Sequence, residues 1–254
     1  MTRRSVLVTG ASGGIGRAVA QAFAAAGDRV GVHYSGNREG AEAVLAALAG
    51  DGHLLVRGDL ADPEQVTRIV DTVVDANGGL DVLVNNAAVG TSRDTAHPVP
   101  TVSYVDWQRA WRQAIEVNLL GAANISYCAA RQMIDRGHGG RIVNVGSRGA
   151  YRGEPDNPAY GASKAALHAL GQSLAISLAP HGISVTSVAP GFVRTERQAA
   201  VLIGEHGETV RRQSPFDRVA EPAEVAAAVL YLASADAAWA SGAVLDLNGA
   251  SYLR

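Results

Sequence analysis

Tyr160 and Lys164 stand four residues apart in Tyr160-Gly161-Ala162-Ser163-Lys164. On a helix that spacing stacks both side chains on one face. A phenol beside an ammonium has a chemical consequence: the cation favours phenolate and lowers the tyrosine pKa from its reference near ~10. Such a Tyr can give or take a proton at a substrate oxygen. Thirteen residues before Tyr160, Ser147 follows the run Arg141-Ile142-Val143-Asn144-Val145-Gly146. That run is short, β-branched and flanked by glycines, so it reads as a buried strand. Ser147 then sits at a strand's carboxyl end, where ligands collect in open α/β sheets. Taken alone, the Tyr–Lys spacing describes a solvated pair on a helix surface better than a catalytic one. Its context decides.

The elements that must position these residues alternate along the chain. Strands are predicted at Ser5–Val8, Arg29–Tyr34, Leu54–Arg57, Val82–Val84, Arg141–Val145, Ser184–Val188 and Val244–Leu247. Helices are predicted at Ile15–Ala26, Glu39–Ala49, Pro63–Ala76, Asp106–Arg136, Pro158–Leu178 and Pro222–Leu232. Asp62 before Pro63 and Glu221 before Pro222 are start signals. Alternating strands and helices imply α/β architecture: a Rossmann-like, doubly wound parallel sheet of about seven strands covered on both faces. No linker or repeat interrupts the pattern, so residues 1–254 are expected to form one domain. The polar, irregular stretch within 191–217 reads as a substrate lid with short helical pieces.

Thr9-Gly10-Ala11-Ser12-Gly13-Gly14-Ile15-Gly16 follows the first strand and opens the first helix. The spacing is GxxxGxG. Side-chain-free positions let a pyrophosphate approach the backbone, and the helix N-terminus offers free N–H donors. At the end of the second strand an acid would bind a ribose 2′-hydroxyl and repel a 2′-phosphate. Tyr34, Ser35, Gly36, Asn37 and Arg38 stand there instead, and Arg38 either pairs with a phosphate or is an exposed charge at the start of a helix. NADP(H) is therefore favoured, with NAD(H) as the alternative. Asp59-Leu60 and Asn85-Asn86-Ala87 close the third and fourth strands at the same edge. Asn118 lies inside the long helix, where Asn is a poor residue; a buried amide there either locks a bend or holds a water.

Net charge is −2 and no basic run occurs, so neither nucleic acid nor an anionic membrane is an expected partner. No apolar run approaches a membrane span or a signal peptide's core. Cys128 is the single cysteine, which excludes an intrachain disulfide. A cytoplasmic protein is expected. The seven His show no ligand-like pairing, so no metal site is expected. Trp107 and Trp111 read as packing or a loop anchor. Arg148, Tyr151 and Arg152 follow Ser147 and read either as pocket lining that could meet an anionic substrate or, for the two arginines, as surface charge, the favoured reading of the two.

Together these motifs resemble the short-chain dehydrogenase/reductase family in its compact form, in the family's order and spacing from Thr9 to Gly249. The resemblance implies a catalytic tetrad of Asn118, Ser147, Tyr160 and Lys164. It puts Gly10, Ser12, Gly14, Ile15 and Gly16 on the cofactor loop, with Tyr34, Ser35 and Arg38 near the adenosine ribose. Asp59, Leu60, Asn85 and Ala87 fall on the adenine and stabilising motifs, and Pro190, Gly191, Val193 and Thr195 on the motif after the sixth strand. It further implies that Asn118 holds a water, that Lys164 binds ribose hydroxyls, and that the long helices pair copies into a homodimer or homotetramer. The expected activity is NADP(H)-dependent reduction of a small-molecule carbonyl, similar to 3-oxoacyl-carrier-protein reductases. Those reductases present paired arginines to a carrier; here Arg131 is near one such place and His181 the other, which disfavours carrier docking. The alternatives are an NAD-dependent alcohol or sugar-alcohol dehydrogenase and a non-catalytic dinucleotide-binding redox sensor. Gly146 and Ala88 depart from the family's usual Ser and Gly, and Val89–Tyr104 is longer than usual.

Overall fold

A computed structural model describes residues 3–92, 94–199 and 202–254. Met1, Thr2, Arg93, Ala200 and Val201 lie outside the described residues; the last two fall in the 191–217 stretch expected to form a lid, and Arg93 in the 89–104 stretch. The first half of the chain runs β1 (Ser5–Val8), α1 (Gly14–Ala25), β2 (Arg29–Tyr34), α2 (Arg38–Ala46), β3 (Leu54–Arg57), α3 (Pro63–Asn77) and β4 (Val82–Asn85). A long helix follows, α4 (Tyr104–Ile115) and α5 (Ala122–Arg136) joined by a π-helical turn at Glu116–Gly121. The second half holds β5 (Gly140–Val145), α6 (Gly149–Arg152), α7 (Pro158–Leu178), β6 (Ile183–Pro190), α8 (Gly204–Arg211), α9 (Pro222–Leu232) and β7 (Val244–Leu247).

The seven strands form one sheet in the order β3-β2-β1-β4-β5-β6-β7, and every pairing is parallel. The chain works outward from β1 to β3, then crosses back to β4 and works outward the other way. Connections therefore leave β1 and β4 in opposite directions, opening a crevice above their carboxyl ends. Both sheet faces are buried, which is why the strands read as continuous apolar runs. Val6 and Val8 pack with Val19 and Phe23 of α1 and Val225 and Val229 of α9. Leu7, Leu83 and Ile142 pack on the opposite face with Ile69 of α3 and Ile125 and Met133 of α5. Each such side chain contributes about 1.5–3 kcal/mol by leaving water.

The helix signals act as read. Asp62 accepts from the Glu64 and Gln65 N–H groups with Pro63 in the first turn, and α3 ends at left-handed Gly78. Glu221 and Glu224 form a reciprocal capping box at the start of α9. Two features were not legible. The helix expected to run unbroken over Asp106–Arg136 is interrupted by the π turn around Asn118. The four-residue helix α6 follows Ser147 directly. Gly146 also has a packing cause: a Cβ there would collide with Nε2 of His168, which projects from α7 beneath the end of β5. The usual Ser is excluded by that ring.

His168 is buried, and neither ring nitrogen has a hydrogen-bond partner among the described residues. Burial, then the Lys164 charge, lowers its pKa to about 4. Burial likewise brings His33 to about 4. Both values lie below the ordinary 6.5, so the unfolded chain takes up these protons first. Stability contributed by the neutral rings is whole above pH ~6.5, is lost as the pH falls towards ~4, and levels below that; His33 alone accounts for roughly 3 kcal/mol. Thermal melts between pH 7 and 4.5 should show a falling Tm, and His168→Leu, which sacrifices no hydrogen bond, should flatten the fall. An unchanged slope in that variant would exclude His168 as a source.

Candidate active site

The glycine loop is shaped by contact with β4. Gly10 is left-handed (φ +62), and a Cβ on it would stand 2.8 Å from Ala87 Cα. Thr9 Oγ1 accepts from the Asn86 and Ala87 N–H groups at 2.9 and 3.0 Å. Asn86 Nδ2 donates to the Thr9 and Gly10 carbonyls at 2.8 and 3.1 Å. From β2, buried His33 accepts from the Gly10 N–H at Nδ1 (3.1 Å), so Nε2 carries the proton and donates to the Gly58 carbonyl (3.1 Å). These bonds tie the ends of β1, β2, β3 and β4 together. At the start of α1 the Gly14 N–H donates to Oε2 of Glu196 at 3.2 Å, and Arg17 forms an ion pair with the same carboxylate. An anion thus already rests where free N–H groups and the helix dipole attract one.

A crevice of about 900 Å³ runs from this loop along the carboxyl edge. Most of the residues singled out above line it. Ser12, Ile15 and Gly16 do so from the loop, Tyr34 and Ser35 from β2, and Asp59 and Leu60 from β3. Ala87 follows β4, and Pro190, Gly191, Val193 and Thr195 come from β6 and its continuation. Two residues are turned elsewhere. Asn85 is buried, donating to Ser126 Oγ at 2.8 Å and Asn144 Oδ1 at 2.9 Å, and so clamps β4, β5 and α5. Arg38 is exposed and donates to Glu42 on the next turn of α2 at 2.7 Å. Asn37, not Arg38, shapes this corner, its side chain accepting from the Gly40 N–H to cap α2.

Ser147, Tyr160 and Lys164 meet at the middle of the crevice. Ser147 Oγ accepts from the Gly149 N–H at 3.0 Å, and Ser147 acts to lower the Tyr160 pKa. Lys164 is buried, and its Nζ donates to the Val145 carbonyl at 2.8 Å. The ammonium stands 5.8 Å from the Tyr160 ring centroid. Burial, then Arg197, lowers Lys164 to about 8. The expected depression of the Tyr160 pKa is overturned. Burial pushes the phenol above its ordinary value and outweighs the lowering by Ser147, while Glu154 adds to the rise and Arg197 opposes it. The lysine faces the Val145 carbonyl, so desolvation prevails.

Of the two readings of Asn118, the locked bend is the one its side chain shows. Its Nδ2 donates to Ser163 Oγ (3.0 Å) and the Val89 carbonyl (3.2 Å), while Oδ1 accepts from the Val89 N–H (2.7 Å). Both amide hydrogens are committed, so the side chain locks the π turn to α7 and to the stretch after β4 instead of offering its N–H groups to a water. Ser163 passes the constraint on, donating to the Tyr160 carbonyl at 2.8 Å.

Several participants went unread. His33, Asn86, Arg17, Glu196, Arg197 and Glu154 all line the crevice. A signal existed for His33, a polar residue near the end of an apolar strand, and for Asn86, the second of an Asn pair. Of the two readings of Arg148 the pocket one holds: it lines the crevice, is 4% exposed, is bonded to Ser251 Oγ (2.5 Å) and Gln213 Oε1 (3.0 Å) and lies over the Phe192 ring. Trp107 meets the expected role of loop anchor, edge-on to buried His97, which accepts from the Ala159 N–H.

A family model described as enoyl-(acyl carrier protein) reductase matches residues 10–249. The chain is 36% identical to an L-rhamnose 1-dehydrogenase (NAD(P)(+)) of Sphingomonas sp., covering 98% of this chain and 96% of that protein. It is equally 36% identical to the 3-oxoacyl-[acyl-carrier-protein] reductase FabG of Staphylococcus aureus, over 98% of both. A short-chain type dehydrogenase/reductase of Picea abies is 36% identical over 97% of this chain and 91% of its own. The chain therefore belongs to the short-chain dehydrogenase/reductase family and is an oxidoreductase that moves hydride between a nicotinamide cofactor, NAD(P)(H), and a carbonyl or alcohol group.

Proposed function

We propose that this protein is an NADP(H)-dependent reductase of small carbonyl compounds in which Tyr160 is the proton donor. The observation that carries the reading is the cluster of Ser147, Tyr160 and Lys164 beside a glycine loop that already holds an anion. The residues fit a dinucleotide: Gly14 and Arg17 bind a carboxylate where a pyrophosphate would lie. When bound, the nicotinamide supplies the hydride for reduction and receives it in oxidation. Ser147 donates to the substrate oxygen as negative charge develops there, and Tyr160 delivers its proton to the same atom. A phenol held above its ordinary pKa stays protonated at neutral pH, which suits the reducing direction. Lys164 contributes an ammonium to the ribose hydroxyls. Asn118 acts as a positioning residue through Ser163.

Support for NADP(H) is the lack of an acidic side chain at Tyr34, Ser35, Gly36 and Asn37, together with Arg17 and Arg38 at the flanking helix starts. Arg38 has to exchange its exposed pair with Glu42 for the phosphate. A sugar or alcohol dehydrogenase acting oxidatively is the second reading, favoured by the polar side chains of the crevice and by the Sphingomonas relative. Carrier docking is disfavoured, since Arg131 sits 3.5 Å from Asp135 on its own helix. Exposed Leu120, Tyr127 and Ile176 support pairing of copies through α5 and α7. The chain is read as one domain with 191–217 as its lid, in a cytoplasmic setting; among the described residues no helix is long and apolar enough to cross a membrane.

Tyr160→Phe should lower kcat for carbonyl reduction by about 10²- to 10⁴-fold while NADPH binding, read by its fluorescence, is retained. Full activity in that variant would remove Tyr160 from the chemistry. The wild type should bind NADPH about ten-fold more tightly than NADH, and Arg38→Ala should narrow the gap; equal affinities would defeat the NADP(H) assignment. A dinucleotide has to displace Glu196 from Gly14. Glu196→Gln should therefore tighten NADPH binding by about two- to five-fold, and weaker binding would show that the carboxylate assists the cofactor.

A further inference from the structure

Glu154 lies in the turn between α6 and α7, and its side chain enters the crevice beside Ser147 and Tyr160. Gly149 makes this possible, since a Cβ there would collide with Glu154 Oε1. The carboxylate forms no hydrogen bond or ion pair among the described residues. The guanidiniums beside it are engaged elsewhere: Arg148 with Ser251 and Gln213 (2.5 and 3.0 Å), Arg152 with Gln213 (2.8 Å). The half-buried carboxylate is open to the crevice and, with no such partner of its own, is free to accept from a substrate donor.

The rest of the site selects the donor. Arg148 and Arg152 act electrostatically on Glu154, and Arg197 acts on Tyr160 and Lys164. A cationic substrate would meet these arginines, and an anionic one would meet Glu154. Arg197 lies against the Ala88 carbonyl on the other side of the crevice (3.5 Å), and Gln113 adds an amide to the lining. A neutral molecule with several hydroxyls satisfies both, donating to the carboxylate and accepting from the guanidinium and amide. Resting on the reductase reading above, we infer that Glu154 is the specificity-determining residue of this site, selecting neutral polyhydroxylated substrates by accepting hydrogen bonds from hydroxyls next to the reacting carbon.

The test compares molecules with one ring and one reacting carbon. 2-Hydroxytetrahydropyran carries the oxidisable lactol alone; D-xylose and L-arabinose in their pyranose forms add three ring hydroxyls. Each is oxidised to its lactone with NADP⁺ as hydride acceptor, and butanone reduction by NADPH serves as the plain carbonyl reaction. For the wild type, kcat/KM should favour at least one pentose over the bare lactol by about ten-fold or more. Glu154→Gln, which swaps an acceptor for an amide of the same shape, should cut that ratio by about ten-fold, mainly through KM. Misfolding would lower both rates alike and leave the ratio unmoved, so the ratio reads selectivity itself. A wild type without preference for the pentoses, or a ratio unchanged by Glu154→Gln, overturns the inference. So does turnover of butanone alone, which would leave the reductase reading standing. Oxidation or reduction of none of these compounds would overturn both.

Discussion

The Lys164 ammonium is buried in the body of the protein and donates to the carbonyl at the end of β5. Burying a charge costs several kcal/mol before compensation, so that hydrogen bond cannot be surrendered cheaply. Its geometry sets the rest. It draws the first turns of α7 against the tip of β5, which places Tyr160 over Ser147. Ser163, between them in sequence, extends the tie sideways to Asn118, and Asn118 extends it to Val89. The π turn at Glu116–Gly121 presents Asn118 for this purpose within an otherwise regular helix. One desolvated cation thus links β5, α7, the helix before β5 and the stretch after β4.

Beneath the reacting groups, the same end of β5 shows how closely the packing is specified. Gly146 makes room for the His168 ring, and the ring stacks on Tyr151, whose other neighbour is the Arg254 guanidinium. The carboxyl terminus therefore supports the floor of the crevice. Arg148 does the same for its side, crossing from the residue after Ser147 to Gln213 and Ser251. Arg148 thereby joins segments 103 and 65 residues apart in the chain. Charges around the crevice are arranged in opposition: Glu196 against Arg17 at the loop, and Glu154 among Arg148, Arg152 and Arg197 near the phenol.

The strands, their order of use and the glycine loop were legible because each is a local pattern: β-branched runs, periodic helices, Asp62-Pro63 and Glu221-Pro222 at helix starts. The positions of Ser147, Tyr160 and Lys164 were legible for the same reason, once a strand and a helix were assigned around them. What failed was whatever depends on surroundings. Four residues of spacing suggested a lowered phenol pKa, but spacing carries no information about burial, and desolvation reversed the direction. Arg38 was legible as a basic residue at the corner, but not its exposed pair with Glu42, and Asn85 as a strand-end amide, but not its bonds to Ser126 and Asn144.

By itself the sequence determined a parallel α/β chain with a glycine loop and a Ser, Tyr and Lys at strand and helix ends, because periodicity and turn chemistry act over a few residues. Tertiary structure alone decided that Glu154 and Arg197 face the same cavity, that Glu196 rests on Gly14, and that His33 and His168 stay neutral. Those outcomes depend on which distant groups share a low-dielectric space. Desolvation and charge pairing are properties of that space and leave no mark on the order of residues.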